Sequence, residues 1–274
     1  RISSYGFAFG YLGGGFLFLI NAAMTIKPEF FGLSSVADAV RWSFLSVSVW
    51  WTLFLIPILL KIQDKGVSLP GSHFKMAYLR VINTLRTVSS KKNVFIFLLA
   101  FFLYIDGVHT IMAMAADFAL NLGLPSSDII VALILVQFVA FPTTLIWSKF
   151  AYKFGEKNTL LFTIFLYLIV IAYSAFLSNA VEFYVLASMV GAIQGGIQSI
   201  SRSYYATLIP QGESGEYFGF YNMFGRAGAF MGPALVAIFV TFFQDTRFGL
   251  IPIAGLFIMG AFILLKVKNN NESF

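Results

Sequence analysis

Cysteine is absent from this 274-residue chain, and Asp, Glu, Lys and Arg together make up only 11% of it. The first absence excludes disulfides and thiolate metal sites, and two histidines alone cannot build a structural zinc centre. The second lies far below the share of about 25% usual in soluble domains. Enzymatic signatures are missing as well. No serine shares a recognisable setting with a histidine and an acid. The glycine-rich GYLGGG run at 10–15 lacks the preceding strand and downstream acid of a dinucleotide loop, and GxxxxGK[ST] does not occur. The chain is therefore read as a non-enzyme with no cofactor and no metal, and any transport it performs would draw on gradients.

What is abundant is apolar surface. Hydrophobic residues make up 59%, with 33 Phe and 12 Tyr, and mean hydropathy is +0.84. The implied fold class is all-α, a polytopic membrane helical bundle. Eight apolar segments are long enough to cross about 30 Å of hydrocarbon: 5–26, 41–60, 94–120, 129–147, 159–177, 183–209, 217–243 and 248–267. The 18 basic residues against 12 acidic ones do not form a nucleic-acid patch, because membrane side distributes them. Fourteen fall on one side and three on the other, with Arg226 inside a span, which by the positive-inside rule puts both ends in the cytoplasm. The same pattern fits a bacterial inner membrane and a vacuolar one.

Residues 61–93 form a polar, basic break between the second and third spans. This predicts three parts: two spans over 1–60, a cytoplasmic linker over 61–93 and six spans over 94–274. In the linker, Phe74, Tyr78, Val81, Ile82, Leu85 and Val88 recur at helical spacing against Lys75, Arg80 and Arg86, as in an amphipathic helix lying on lipid. His73 belongs to the same solvated stretch. The chain opens on Arg1 with its first residues already at the mouth of a span. A larger bundle is expected, completed by preceding spans or by a partner chain.

Four features stand out inside the membrane. Gly6, Gly10 and Gly14 make a bare groove on the first span, where close helix packing is expected, the alternative being packing that also permits rocking between helices. Pro57, Pro142, Pro233 and Pro252 lie within spans, where each removes a backbone donor and can bend the helix. In the third span, YIDGVHT places Asp106, His109 and Thr110 on one face. A carboxylate at mid-membrane costs about 2.5–3.5 kcal/mol on insertion scales, so Asp106 should meet a partner, a cavity or a proton. Asp106 and His109 are the proton-coupling candidates, the alternative being hydrogen bonds that only fix packing. Asp117 reads as a wetted rim residue.

The sixth span carries Gln194, Gln198, Ser201, Arg202 and Tyr205 at helical spacing, with Gly191-x-x-x-Gly195 beside them. That stripe reads as the wall of a solute pathway, together with Asp106, His109 and Thr110 in the third span and Arg226 in the seventh. Arg202, with Glu213 and Glu216 beyond Pro210, reads as a cytoplasmic gate, the alternative being ordinary positive-inside anchoring.

Taken together, SSYGFAFGYLGGG, YIDGVHT, GGIQSISRSYYATLIP and GEYFGFYNMFGRAGAFMGP resemble vacuole-effluxer-type transporters of the major facilitator superfamily. The resemblance covers nearly the whole chain and aligns its spans with the fifth to twelfth of twelve. It implies a secondary transporter working by alternating access, associated in fungi with amino-acid efflux from the vacuole. Asp106 and Thr110 match a central DGxxT element in which His109 replaces a more usual glutamine. Gln194, Gln198, Ser201, Arg202 and Ser203 match a glutamine and SRS element. WSKFAYKFGEKN matches the short cytoplasmic gating motif through Lys153, Gly155 and Lys157, with Tyr152 where an aspartate is expected. The expected partners are thus a small polar solute, membrane lipid and protons. A transporter-like scaffold or receptor that binds a partner through its linker is the reading from another class.

Overall fold

The computed structural model describes residues 2–61, 79, 82, 88, 90–210 and 214–268. It is helical throughout, and no strand occurs among the described residues. Nine α-helices are described: α1 (Ile2–Ile26), α2 (Val36–Lys61), α3 (Lys92–Asn121), α4 (Ser126–Phe154), α5 (Glu156–Ser174), α6 (Ala180–Leu208), α7 (Ser214–Ala227), α8 (Met231–Phe243) and α9 (Leu250–Leu265). They supply eight segments long and apolar enough to cross a membrane, each overlapping one predicted from hydropathy. The chain is an integral, multi-pass membrane protein. The amphipathic linker helix, His73 and Glu213 fall mainly or wholly outside the described residues.

Local signals account for the helix boundaries. Asn179 caps α6 by accepting from the Glu182 backbone N–H at 3.0 Å, while Glu182 reaches back to the Ser178 N–H at 2.8 Å. The first bond satisfies a donor that a helix N-terminus leaves free, and the second ties the preceding residue to the first turn. Between α4 and α5 the chain turns at Gly155, whose φ of +84° is a conformation that disfavours any side chain. Asp245 accepts from the Arg247 N–H at 2.9 Å, starting a 3₁₀ turn (Thr246–Gly249) that feeds α9.

The seventh span differs from a continuous helix. Its α-helical parts α7 and α8 are joined through one 3₁₀ turn, Gly228–Phe230. Pro233 then lies in the first turn of α8, where its missing N–H removes no helical bond. Pro252 has the same placement in α9, so neither residue breaks a ladder. Pro57 and Pro142 do sit inside α2 and α4.

Clustering of backbone contacts divides the chain into two compact units: Arg1–Leu12 with Ile82–Phe274, and Gly13–Val81. In the smaller unit, Ser46 donates to Asn21 Oδ1 at 2.9 Å, tying α1 to α2. Trp42, Trp51 and Phe54 of α2 are exposed.

The larger unit holds the core. Here α4 packs along α6, α3 along α9, and α5 against α6. Lipid removes most of the hydrophobic drive between helices, so close packing and hydrogen bonds must hold them together. The α4–α6 seam follows the glycines of α6. A Cβ at Gly191 would come within 2.7 Å of the Val136 carbonyl oxygen, one at Gly195 would overlap Thr144 Oγ1, and one at Gly196 would lie 2.5 Å from the Trp147 ring. Trp147 Nε1 donates to the Ala192 carbonyl at 2.6 Å along the same line. A second nucleus joins α3, α6 and α7. Phe101 stacks on Tyr221 at 4.2 Å between centroids and Phe97 on Tyr205 at 5.7 Å. Such pairs contribute about 0.5–1.5 kcal/mol each beyond their buried area.

Among the described residues no atom lies within 4 Å of a Cβ built at Gly6 or Gly10, and both line a cavity. Small residues permit close approach but do not compel it.

Candidate functional site

The polar face of α6 spreads across a boundary. Each four-residue step advances the helix face by about 40°, so Gln194, Gln198 and Arg202 sweep from buried through half-buried to exposed. All three line a cavity of about 630 Å³, together with Gly6, Gly10 and Tyr11 from α1, Met112 from α3 and Gln137 from α4. The Tyr11 hydroxyl donates to Gln198 Oε1 at 2.8 Å. Gln194 is only 3% exposed, and its Oε1 has no hydrogen-bond partner among the described residues. The Arg202 guanidinium lies over the Phe218 ring, 4.9 Å from its centroid. The cavity thus offers amide groups, a phenol and one guanidinium to a solute small enough to enter it.

The rest of the stripe has other tasks. Ser201 and Tyr205 are fully buried. Ser201 shares a hydrogen bond with the Tyr104 hydroxyl at 2.7 Å, and Tyr205 donates to the Tyr217 carbonyl at 2.9 Å. Ser203 faces the opposite side of α6 and donates to Glu156 Oε1 at the start of α5. The three consecutive residues of SRS therefore reach a core tyrosine, a cavity and a carboxylate.

Asp106 and Thr110 are not brought to that cavity. Both are completely buried, pressed against the broken seventh span. Thr110 Oγ1 donates back to the Asp106 carbonyl at 2.7 Å. A Cβ at Gly228 would come within 3.1 Å of Asp106 Cβ, and one at Gly232 within 3.1 Å of Asp106 Oδ1 while overlapping Thr110 Oγ1. Gly107 faces the Phe257 ring of α9, 2.8 Å from where its Cβ would be. The DGVHT segment is therefore also a packing element that two bare glycines accommodate. The backbone N–H of Gly232 is the donor that faces the Asp106 carboxylate, whereas Nδ1 of the half-buried His109 has no hydrogen-bond partner among the described residues.

Arg226 is exposed. It follows Gly225, which packs on Phe101, and one helical step of about 100° turns the guanidinium off that face. Lys157 donates to the Leu265 and Val267 carbonyls at 2.9 and 2.6 Å, holding the end of α9. Lys153 lies 5.3 Å from the Phe154 ring centroid, and Glu216 stands exposed in the first turn of α7. Tyr11, Gln137 and Glu156 are functional candidates that sequence reasoning passed over. Gln137 carried a usable signal, as a lone amide in the apolar run LILVQFVAF. Tyr11 carried little, because tyrosine is ordinary in membrane helices.

Comparison with known proteins agrees with this architecture. The chain is 35% identical to an uncharacterized MFS-type transporter, YxiO, of Bacillus subtilis over 99% of this chain and 64% of that protein. It is 25% identical to autophagy-related protein 22 of Yarrowia lipolytica over 99% of this chain and 51% of that protein. With autophagy-related protein 22-2 of Penicillium rubens it shares 26% identity over 97% and 48% of the two chains. The chain thus spans between about half and just under two thirds of the length of these relatives. Residues 1–273 match the family described as vacuole effluxer Atg22 like. This chain belongs to that family.

Proposed function

We propose that this chain acts in a secondary active transporter that moves a small polar solute, an amino acid being the class the family suggests, by alternating access. The observation that carries this reading is the cavity where Tyr11, Gln137, Gln194, Gln198 and Arg202 meet within membrane-spanning helices. Polar side chains at membrane depth are expensive unless protein or a wet pathway receives them. Gln194 keeps an unpartnered amide oxygen at such a place.

In this reading Gln194, Gln198 and Arg202 contact the solute, and exposed Arg226 joins the pathway. Asp106 and His109 couple transport to protons, Asp106 from its place against Gly228 and Gly232, and Thr110 holds the Asp106 backbone. A carboxylate so desolvated would take up and release its proton as the α3–α8 seam opens and closes. Arg202, Glu213, Glu216, Lys153 and Lys157 form the gate on the cytoplasmic side, where both ends of the chain lie by the positive-inside rule.

The test is solute uptake into proteoliposomes containing the full-length protein, with a radiolabelled amino-acid mixture and an imposed pH gradient. Uptake by the wild type that falls on the order of tenfold in Gln194→Ala, with retained folding, is expected from loss of a polar solute contact. Asp106→Asn should abolish acceleration by the pH gradient while leaving exchange. Gradient-driven uptake at the original rate in that variant would remove Asp106 from the mechanism.

A further inference from the structure

We propose that the lysines gathered where α3 begins and α9 ends form a binding site for the phosphate of an anionic lipid headgroup. Lys91, Lys92, Lys266 and Lys268 line a cavity of about 610 Å³, with Ile96 and Leu208 on its walls. Residues far apart in sequence are locked together there. Asn93 Nδ2 donates to the Lys268 carbonyl at 3.3 Å, and the Lys268 N–H donates to Asn93 Oδ1 at 3.2 Å.

This arrangement breaks a local electrostatic rule. Helix N-termini favour negative charge, yet α3 begins with Lys91 and Lys92, has no acidic residue in its first turn and no side-chain cap. None of the four ammonium groups has an ion pair among the described residues, where the one pair found joins Arg41 to Asp38. Nor are Lys266 and Lys268 required by the carbonyls ending α9, because Lys157 already takes those of Leu265 and Val267. Lys91 extends over the Tyr217 ring at 5.4 Å. Four positive charges around one cavity repel each other until an anion enters.

The walls decide what kind of anion. Ile96 and Leu208 on the cavity wall are half-buried, so apolar surface adjoins the lysines. A phosphodiester among the lysines with acyl chains along that surface satisfies both halves, as in other basic pockets between membrane helices. The site is separate from the solute cavity and stands whether or not the protein transports an amino acid.

The experiment is native mass spectrometry of the full-length protein in detergent, offered phosphatidylglycerol or phosphatidylcholine. Retention of phosphatidylglycerol over phosphatidylcholine is expected, with a loss on the order of tenfold in K91Q/K92Q/K266Q/K268Q, since each lysine near an anionic headgroup contributes appreciably. The pair K266Q/K268Q at the end of α9 should show a smaller loss, and decides the matter if the fourfold variant does not fold. K61Q/K149Q, which removes the same charge elsewhere, should bind as the wild type does. Equal loss in K61Q/K149Q, or none in the fourfold variant, would overturn the site in favour of diffuse attraction. Displacement of the lipid by millimolar inorganic phosphate would overturn the lipid assignment in favour of a free phosphate.

Discussion

The hydroxyl of Tyr11 donates to Oε1 of Gln198 at 2.8 Å, joining residues 187 positions apart. The bond orients the amide, so that the Gln198 Nε2 donors are left for another acceptor. Tyr11→Phe removes that constraint while keeping the ring. Interhelical hydrogen bonds in membranes average about 0.6 kcal/mol, so stability should change little. Solute KM should rise several-fold with little change in kcat, as measured in proteoliposomes. An unchanged KM would make the contact a packing feature only.

The α4–α6 seam should be intolerant of side chains. A Cβ at Gly195 would overlap Thr144 Oγ1, and overpacking costs about 1–3 kcal/mol. Gly195→Ala should lower the melting temperature of the detergent-solubilised protein. Thr144→Ala in the same chain should restore part of the loss. A double variant no better than Gly195→Ala would mean that this contact is not the cause.

Gly232 and Thr110 form the equivalent pair at the α3–α8 seam. Gly232→Ala should destabilise the protein by a similar amount, and Thr110→Ala should rescue stability. Since Asp106 lies against the same glycine, Gly232→Ala is also expected to weaken acceleration by a pH gradient. Full coupling in a folded Gly232→Ala variant would separate the seam from proton movement.

Ser203 donates to Glu156, a bond to a charged acceptor, for which about 1.5–3 kcal/mol is usual. In a double-mutant cycle with Ser203→Ala and Glu156→Gln, thermal stabilities should reveal coupling of about 1 kcal/mol, reduced by partial exposure. Additive losses would indicate that the two residues act separately.

Much of the fold was legible because its determinants are local or one-dimensional. The eight spans follow from runs of apolar residues, since a lipid environment requires each segment to satisfy its backbone within itself. The Gly191-x-x-x-Gly195 seam was equally readable, because bare backbone at four-residue spacing always makes one smooth face. At Gly6 and Gly10 the same spacing borders a cavity among the described residues. Spacing reports where a neighbour can approach, and only the partner helix decides whether it does.

The site divides in the same way. Sequence alone determined that the sixth span carries a polar face and that Asp106 sits deep in an apolar helix. It could not assign Gln194 and Arg202 to a cavity while giving Ser201 to Tyr104 and Ser203 to Glu156, because these partners lie 47 to 97 positions away. Nor could it put Asp106 behind Gly228 and Gly232 or bring Asn93 to Lys268. Helical periodicity fixes the angle at which a side chain leaves its axis, whereas what it meets depends on how the helices cross, and that is settled by close packing over the whole bundle.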